Sequence, residues 1–137
     1  MEARVSGTLP AAPEVVWESI ARPDRLLEWW PQLTLEPEVG GGFLEIWSDG
    51  DQQEKRTTGT VTAWEEEQLI ELDWSDDGWG FQTEVSIALS PEGSGTRIAI
   101  VHSGFEAAGP RGAELSRAHQ DGWQRHLHRW RSYLRQR

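Results

Sequence analysis

Across residues 43–102 apolar side chains recur at every second position, and beyond about residue 110 they recur at every third or fourth. This change of period constrains the fold more than any other feature. A period of two places alternate residues on opposite faces of a strand, whereas three- and four-residue steps build one stripe along a helix. Phe81, Thr83, Val85, Ile87 and Leu89 alternate with Gln82, Glu84, Ser86 and Ala88, the clearest strand in the chain. Leu115, Ala118, Trp123, Leu127, Trp130 and Leu134 mark one face of a long helix over about 112–135, with Arg117, Asp121, Arg125 and Arg129 on the opposite stripe.

The remaining elements follow from local chemistry. Val5 and Leu9 lie on one face of a first strand over 2–9. Pro13 suits the first turn of a helix, where its missing N–H costs nothing, and Glu14 complements the helix dipole. Val16, Trp17 and Ile20 form its apolar face. Pro23 starts a second short helix carrying Leu26, Leu27 and Trp30, which Pro31 stops. Strands are expected from Leu33 onward, at Phe43–Trp47, Glu54–Trp64, Gln68–Trp74, Phe81–Leu89 and Arg97–His102. Turns are expected at Gly40–Gly42, Asp49–Asp51, Glu65–Gln68 and Ser90–Gly95, with a loop over Ser75–Gly80 and a connection over Gly104–Gly112. Strands in series followed by one helix give an α+β class. The expected architecture is a curved antiparallel sheet of six to seven strands around the C-terminal helix, with two short helices after strand one. Its 137 residues are expected to form a single domain spanning 1–137.

Composition narrows the function. Cysteine is absent, which removes disulfide scaffolds and thiol catalysis, and no apolar run is long enough for a membrane span. No signal peptide is visible in MEARVSGTLP, so the cytoplasm is the expected compartment. Twelve arginines against one lysine, Lys55, suggest a GC-rich bacterial genome. Net charge is −10, yet residues 1–110 carry −15 and residues 111–137 carry +5. An acidic body disfavours nucleic acid, whose binding is driven by phosphate neutralisation. Nine tryptophans can fill a core or line an amphipathic pocket.

Several segments, in order, resemble the family of activator of Hsp90 ATPase homologue 1-like proteins, within the START-like (SRPBCC, helix-grip) superfamily. They are Ala12-Pro-Glu-Val-Val-Trp17, Leu26 with Trp29, Val39-Gly-Gly-Gly-Phe43, Gly59-Thr-Val61, Gly95-Thr96, His102-Ser-Gly-Phe105, and Asp121-Gly-Trp123 with Leu127. Ala12 departs from the pattern, which often has Ser or Thr there. The resemblance implies a helix-grip fold with a cavity between sheet and helix, and no single activity. The Hsp90-activating co-chaperone has a further N-terminal domain, so direct Hsp90 activation is not the expectation.

Candidate chemistry is sparse. His102 closes the last strand in phase with Ile98 and Ile100, as a ligand anchor or general base on one reading and as a hydrogen-bonded strand end on the other. His119 and His126 share a helix face but lie about 10 Å apart along the axis, and His128 points elsewhere, so no metal site is expected. Gly40–Gly42 precedes a strand amid glutamates, unlike a phosphate loop. Ser103 and His102 are adjacent and face opposite ways, so no catalytic residue is assigned and no cofactor is expected. Glu65–Glu67 and Asp76-Asp77 read as solvated turn charge. Trp29, Trp30, Trp47 and Trp79 fall at element ends or in loops, where they could rim a pocket.

The reading is therefore a small domain binding an apolar or aromatic small molecule under the C-terminal helix, as a monomer or homodimer. The expected ligand-binding residues are Trp74, Phe81, Thr83, Val85, Ile100, His102, Trp123 and Leu127. Ile70, Leu72, Ile87, Ile98 and Trp130 belong to the same expected cavity wall, and Thr83, His102 and Arg56 are its candidate polar groups. The alternatives are a cyclase-type enzyme using the same cavity, and a co-chaperone-like interaction module using the basic helix face.

Overall fold

The computed structural model describes residues 2–48 and 50–136, so Asp49 of the expected turn lies outside the described residues. In chain order the elements are β1 (Glu2–Leu9), α1 (Pro13–Ala21), α2 (Pro23–Trp29), β2 (Leu33–Leu35), β3 (Gly42–Ser48), β4 (Glu54–Glu65), β5 (Leu69–Asp76), β6 (Thr83–Glu92) and β7 (Gly95–Ser103). A 3-10 stretch, Phe105–Arg111, then leads into α3 (Gly112–Arg135). The strands form one curved sheet in the order β1-β7-β6-β5-β4-β3-β2, and every neighbouring pair is antiparallel. This is the helix-grip architecture of class α+β.

Alternation sets the buried face. Thr83, Val85, Ile87 and Leu89 of β6 are buried, as are Ile98, Ile100 and His102 of β7 and Ile70, Leu72 and Trp74 of β5. Register aligns them across the ladder: Val85 faces His102, Ile87 faces Ile100, and Leu89 faces Ile98. A slip of one residue would turn all of them to solvent, so burial itself holds the register. Gly59 of β4 marks the tightest approach inside the sheet. A Cβ there would lie 1.9 Å from the Asp73 carbonyl oxygen and 2.4 Å from the Phe43 ring.

Helix α3 covers this face with Trp123, Leu127, Trp130 and Leu134. Its far half is tied to α1 and α2 by indoles. Trp130 stacks on Trp29 with centroids 5.0 Å apart and planes 8° from parallel. Both N–H groups go to one residue, Trp29 to the Ser19 carbonyl at 2.9 Å and Trp130 to the Ser19 hydroxyl at 2.7 Å. Ser19 passes its own proton to the Val16 carbonyl. Stacked aromatics whose N–H groups are satisfied can be buried without the usual polar penalty.

Four details differ from the pattern-based expectation. Phe81 is not in β6, because its carbonyl accepts from the Ser75 hydroxyl at 2.8 Å and its ring stacks on Trp79 at 4.8 Å. Gly80, with φ of 69°, turns the chain just before it. The β6–β7 hairpin is tighter than expected: Glu92 pairs with Gly95, leaving a two-residue turn at Gly93-Ser94 with Gly93 at φ 59°. The 104–112 connection is a 3-10 stretch kinked at Gly109, whose φ and ψ of 66° and −131° no helix accommodates. Leu27 is 61 % exposed, whereas its neighbours Leu26, Trp29 and Trp30 are buried.

Helix α1 starts without a side-chain cap, because Ala12 has the extended backbone of an N-cap residue but no oxygen to offer. Ala12→Ser supplies that acceptor to an orphan N–H of the first turn. It should raise stability by about 0.5–2 kcal/mol. An unchanged urea midpoint would show that the first-turn N–H groups are already satisfied by solvent.

Candidate functional site

The interior is closed on one side of α3 and open on the other. Where α3 packs against β1 and β7 the interior is filled by core side chains. Towards β3, β4 and β5 the helix and sheet diverge, leaving a half-open cleft of about 780 Å³. Glu45 and Trp47 of β3, Thr57 of β4, and Trp74 and Asp76 of β5 form its sheet wall. The helix wall comes from residues 118–129, chiefly His119, Gly122, Trp123, His126 and Arg129. Such a size suits a drug-sized ligand. A second recess of about 580 Å³ between α1 and the end of α3 has no tryptophan in its wall.

Period two explains why these strand residues meet. Glu45 and Trp47 continue the inward phase of Phe43, and Asp76 continues that of Ile70, Leu72 and Trp74 one step past Trp74. Once there, they are held by a hydrogen-bond chain. Trp47 donates its indole N–H to the Thr57 hydroxyl at 3.0 Å, and Thr57 donates to Asp76 Oδ1 at 2.5 Å. Asp76 Oδ2 lies 3.3 Å from His119 Nε2, with both side chains only 15 % exposed. His119 Nδ1 donates to the Leu115 carbonyl at 2.8 Å. Both imidazole nitrogens thus face oxygen acceptors. On the same wall Trp30 donates to Glu45 Oε2 at 2.9 Å. Burial pushes the Glu45 carboxyl above the usual carboxylate range, opposed by the Trp30 hydrogen bond.

His102 sits behind the cleft, fully buried. Indole N–H can only donate, so the Trp123 contact of 3.0 Å makes His102 Nδ1 an acceptor. Its proton is therefore on Nε2, donating to the Thr83 hydroxyl at 2.7 Å, and Thr83 passes its hydrogen to the Trp74 carbonyl at 2.9 Å. Every donor has one acceptor. Desolvation, helped by the nearby His119, lowers the His102 pKa to about 3. With both nitrogens engaged and no exposure, the ring is a structural link between β7, β6, β5 and α3.

Of the expected ligand-binding residues, only Trp74 and Trp123 line the cleft. Thr83, Val85, Ile100, His102 and Leu127 are buried in the packed core, and Phe81 lies in the loop beside Trp79. Ile70, Leu72, Ile87, Ile98 and Trp130 are likewise core. They face the helix as expected, but facing it where the layers touch produces packing, not a wall. Arg56 is exposed on the opposite face of β4 and pairs with Glu54 at 3.2 Å. Of the four tryptophans that could rim a pocket, Trp47 lines the cleft, Trp29 and Trp30 are core, and Trp79 is half-buried against Phe81. Asp76 is part of a half-buried network instead of turn charge, and Arg125 and Arg129, exposed as expected, border the cleft. Arg129 contacts His126 Nδ1 at 2.5 Å, while the His126 ring stacks on Trp30 at 4.1 Å. Desolvation, then the Arg129 and Arg125 charges, bring the His126 pKa to about 3.

A seven-stranded antiparallel sheet gripping one long helix is a helix-grip fold. The family model for activator of Hsp90 ATPase homolog 1-like protein matches residues 10–135, and the chain belongs to that family. No curated protein matches the chain. Among solved structures, DynU16 from the dynemicin biosynthetic locus is 24 % identical with a TM-score of 0.79, covering 98 % of this chain and 47 % of its own. The chain thus spans about half the length of DynU16. MLL2253 from Mesorhizobium loti is 21 % identical with a TM-score of 0.79, covering 99 % and 98 % of the two chains. CalU16 from Micromonospora echinospora is 20 % identical with a TM-score of 0.76, covering 97 % and 75 %. At these identities the likeness is one of fold. No helix among the described residues is long and apolar enough to cross a membrane.

Acid should weaken the fold through two imidazoles, buried His102 and half-buried His126. Their folded pKa values, about 3, lie below the ordinary imidazole value of 6.5. Between these values the unfolded chain binds more protons, so stability is full above about pH 6.5 and falls as pH drops towards 3. The urea midpoint should fall more steeply between pH 7 and pH 4.5 for the parent than for His126→Gln, in which one titrating ring is gone. Equal slopes would mean that His126 is protonated in the folded state.

Proposed function

We propose that residues 1–137 form one small-molecule-binding domain, and that its site is the cleft between α3 and strands β3–β5. The ligand class is an apolar or aromatic compound. The observation carrying this reading is the cleft wall itself: Trp47, Trp74 and Trp123 offer indole surface, interrupted by a few fixed polar groups at Glu45, Thr57, Asp76 and His119. A mainly apolar concavity with convergent polar groups is what small-ligand sites share. The family and the helix-grip fold are consistent with it.

Binding is favoured over cyclase-type catalysis because His102, the base that chemistry would call on, has both nitrogens committed to side-chain partners. Arg125 and Arg129 flank the cleft, which supports a role at its rim over one in docking a protein. The acidic body supports a partner other than nucleic acid. Solved relatives from Mesorhizobium loti and Micromonospora echinospora support a bacterial source, and we place the protein in the cytoplasm as a monomer or homodimer.

Gly122 supplies the test. It lines the cleft from α3, and a Cβ built there meets only Arg125 Nη2, at 3.8 Å. Gly122→Phe should fill the cleft without disturbing the core. Removing a helical glycine should also stabilise α3 by a fraction of about 1 kcal/mol. The parent should show thermal shifts and indole quenching with members of an aromatic library, and the variant should melt normally and respond to none. Library responses that survive in Gly122→Phe would move the site elsewhere. Absence of any response in the parent would defeat the binding function.

A further inference from the structure

The indole N–H of Trp74 has no partner. Trp74 is 4 % exposed, and its Nε1 is the only buried side-chain nitrogen or oxygen among the described residues without a hydrogen bond. Five other tryptophans donate within the fold. Trp29 and Trp130 donate to Ser19, Trp30 to Glu45, Trp47 to Thr57 and Trp123 to His102. A donor shut off from water and left bare costs free energy until something accepts from it. Trp74 shares with Trp123 a near-buried ring and a place in the cleft wall, but the Trp123 N–H is taken by His102 and that of Trp74 is not.

We propose that Trp74 Nε1 is the specificity-determining donor of the cleft, and that the ligand is an uncharged planar aromatic compound presenting a carbonyl oxygen to it. The inference rests on the cleft-binding reading above. The walls favour a flat ring, since Trp74 and Trp123, in contact with centroids 5.3 Å apart and planes tilted by 51°, border the cleft as one aromatic surface and Trp47 adds a third ring. The bare N–H is shut off from water, so its acceptor has to be carried in by the ligand. Charge is disfavoured from both sides. An anion would share the cleft with the carboxylates of Glu45 and Asp76, and a cation would leave the N–H unanswered and meet Arg125 and Arg129 on the helix wall. A neutral carbonyl satisfies the donor without adding a charge to a site that already holds both signs.

Three naphthalenes of one size separate the possibilities: 2-acetylnaphthalene, 2-ethylnaphthalene and 2-naphthoate. By calorimetry or indole quenching, the ketone should bind the parent about tenfold more tightly than the ethyl compound, the effect of one buried hydrogen bond. Naphthoate should bind more weakly than the ketone. Trp74→Phe keeps the ring and removes the donor, so it should bring the ketone to the affinity of the ethyl compound. Proton–nitrogen correlation spectra give a readout that needs no stable variant, because the Trp74 indole resonance should move downfield with the ketone and stay with the ethyl compound. Equal affinities for ketone and ethyl compound in the parent, an unmoved Trp74 resonance, or tighter naphthoate binding would each overturn the assignment while leaving the cleft as a binding site. If none of the three binds but other aromatic compounds do, the carbonyl preference is wrong and the cleft reading stands. If no aromatic compound binds at all, both fall together.

Discussion

One buried hydrogen-bond chain holds the two layers in their relative positions. It runs from Trp123 on α3 through His102 on β7 and Thr83 on β6 to the Trp74 carbonyl on β5. Each link has a defined direction, because indole can only donate and a carbonyl can only accept. Breaking any link would leave a buried polar group unanswered, at a cost of about 1–3 kcal/mol apiece. The chain therefore sets both the height of the helix over the sheet and the placement of Trp74 and Trp123, which line the cleft. The imidazole works here because it is neutral. A charged ring could not accept from Trp123, and burial keeps it from charging.

The tryptophans divide by what their nitrogens do. Around α1, α2 and the second half of α3 they close the space between elements, paired face to face and discharged onto Ser19. Along β3 and β5 they wall an opening instead. The same residue type serves both ends because its area suits packing and its single donor suits recognition. The acidic groups divide similarly. Most are solvated, while Glu45 and Asp76 are drawn inward and answered by Trp30, Thr57 and His119.

How much of this was legible beforehand is clearest at individual residues. Alternation placed Thr83, Val85, Ile100 and His102 on the buried face, and register confirms each one. The same alternation, carried one step past Trp74, would have turned Asp76 inward, and the phase of Phe43 and Trp47 would have done so for Glu45. Both were passed over because acidic residues near a turn usually belong to solvent. His119 carried no such signal, since its partner comes from a distant strand. Phe81 fitted the alternation and still fell outside β6, because Ser75 and Trp79 offered its carbonyl and ring a better local arrangement than the ladder did.

By itself the sequence determined the order of elements, the face each strand buries, the stripe by which α3 docks and the family to which the chain belongs. These depend on local periodicity and on turn and cap chemistry, which act within a few residues. Only the tertiary structure decided which inward-facing residues become core and which become wall. Periodicity says which way a side chain points but nothing of the distance to the opposite layer. That distance is set by where α3 is pinned to β7 through His102 and where it leaves the sheet towards β3. Thus Trp74 and Val85, buried by the same rule, end with different tasks: one lines an opening with a bare donor, the other fills the core.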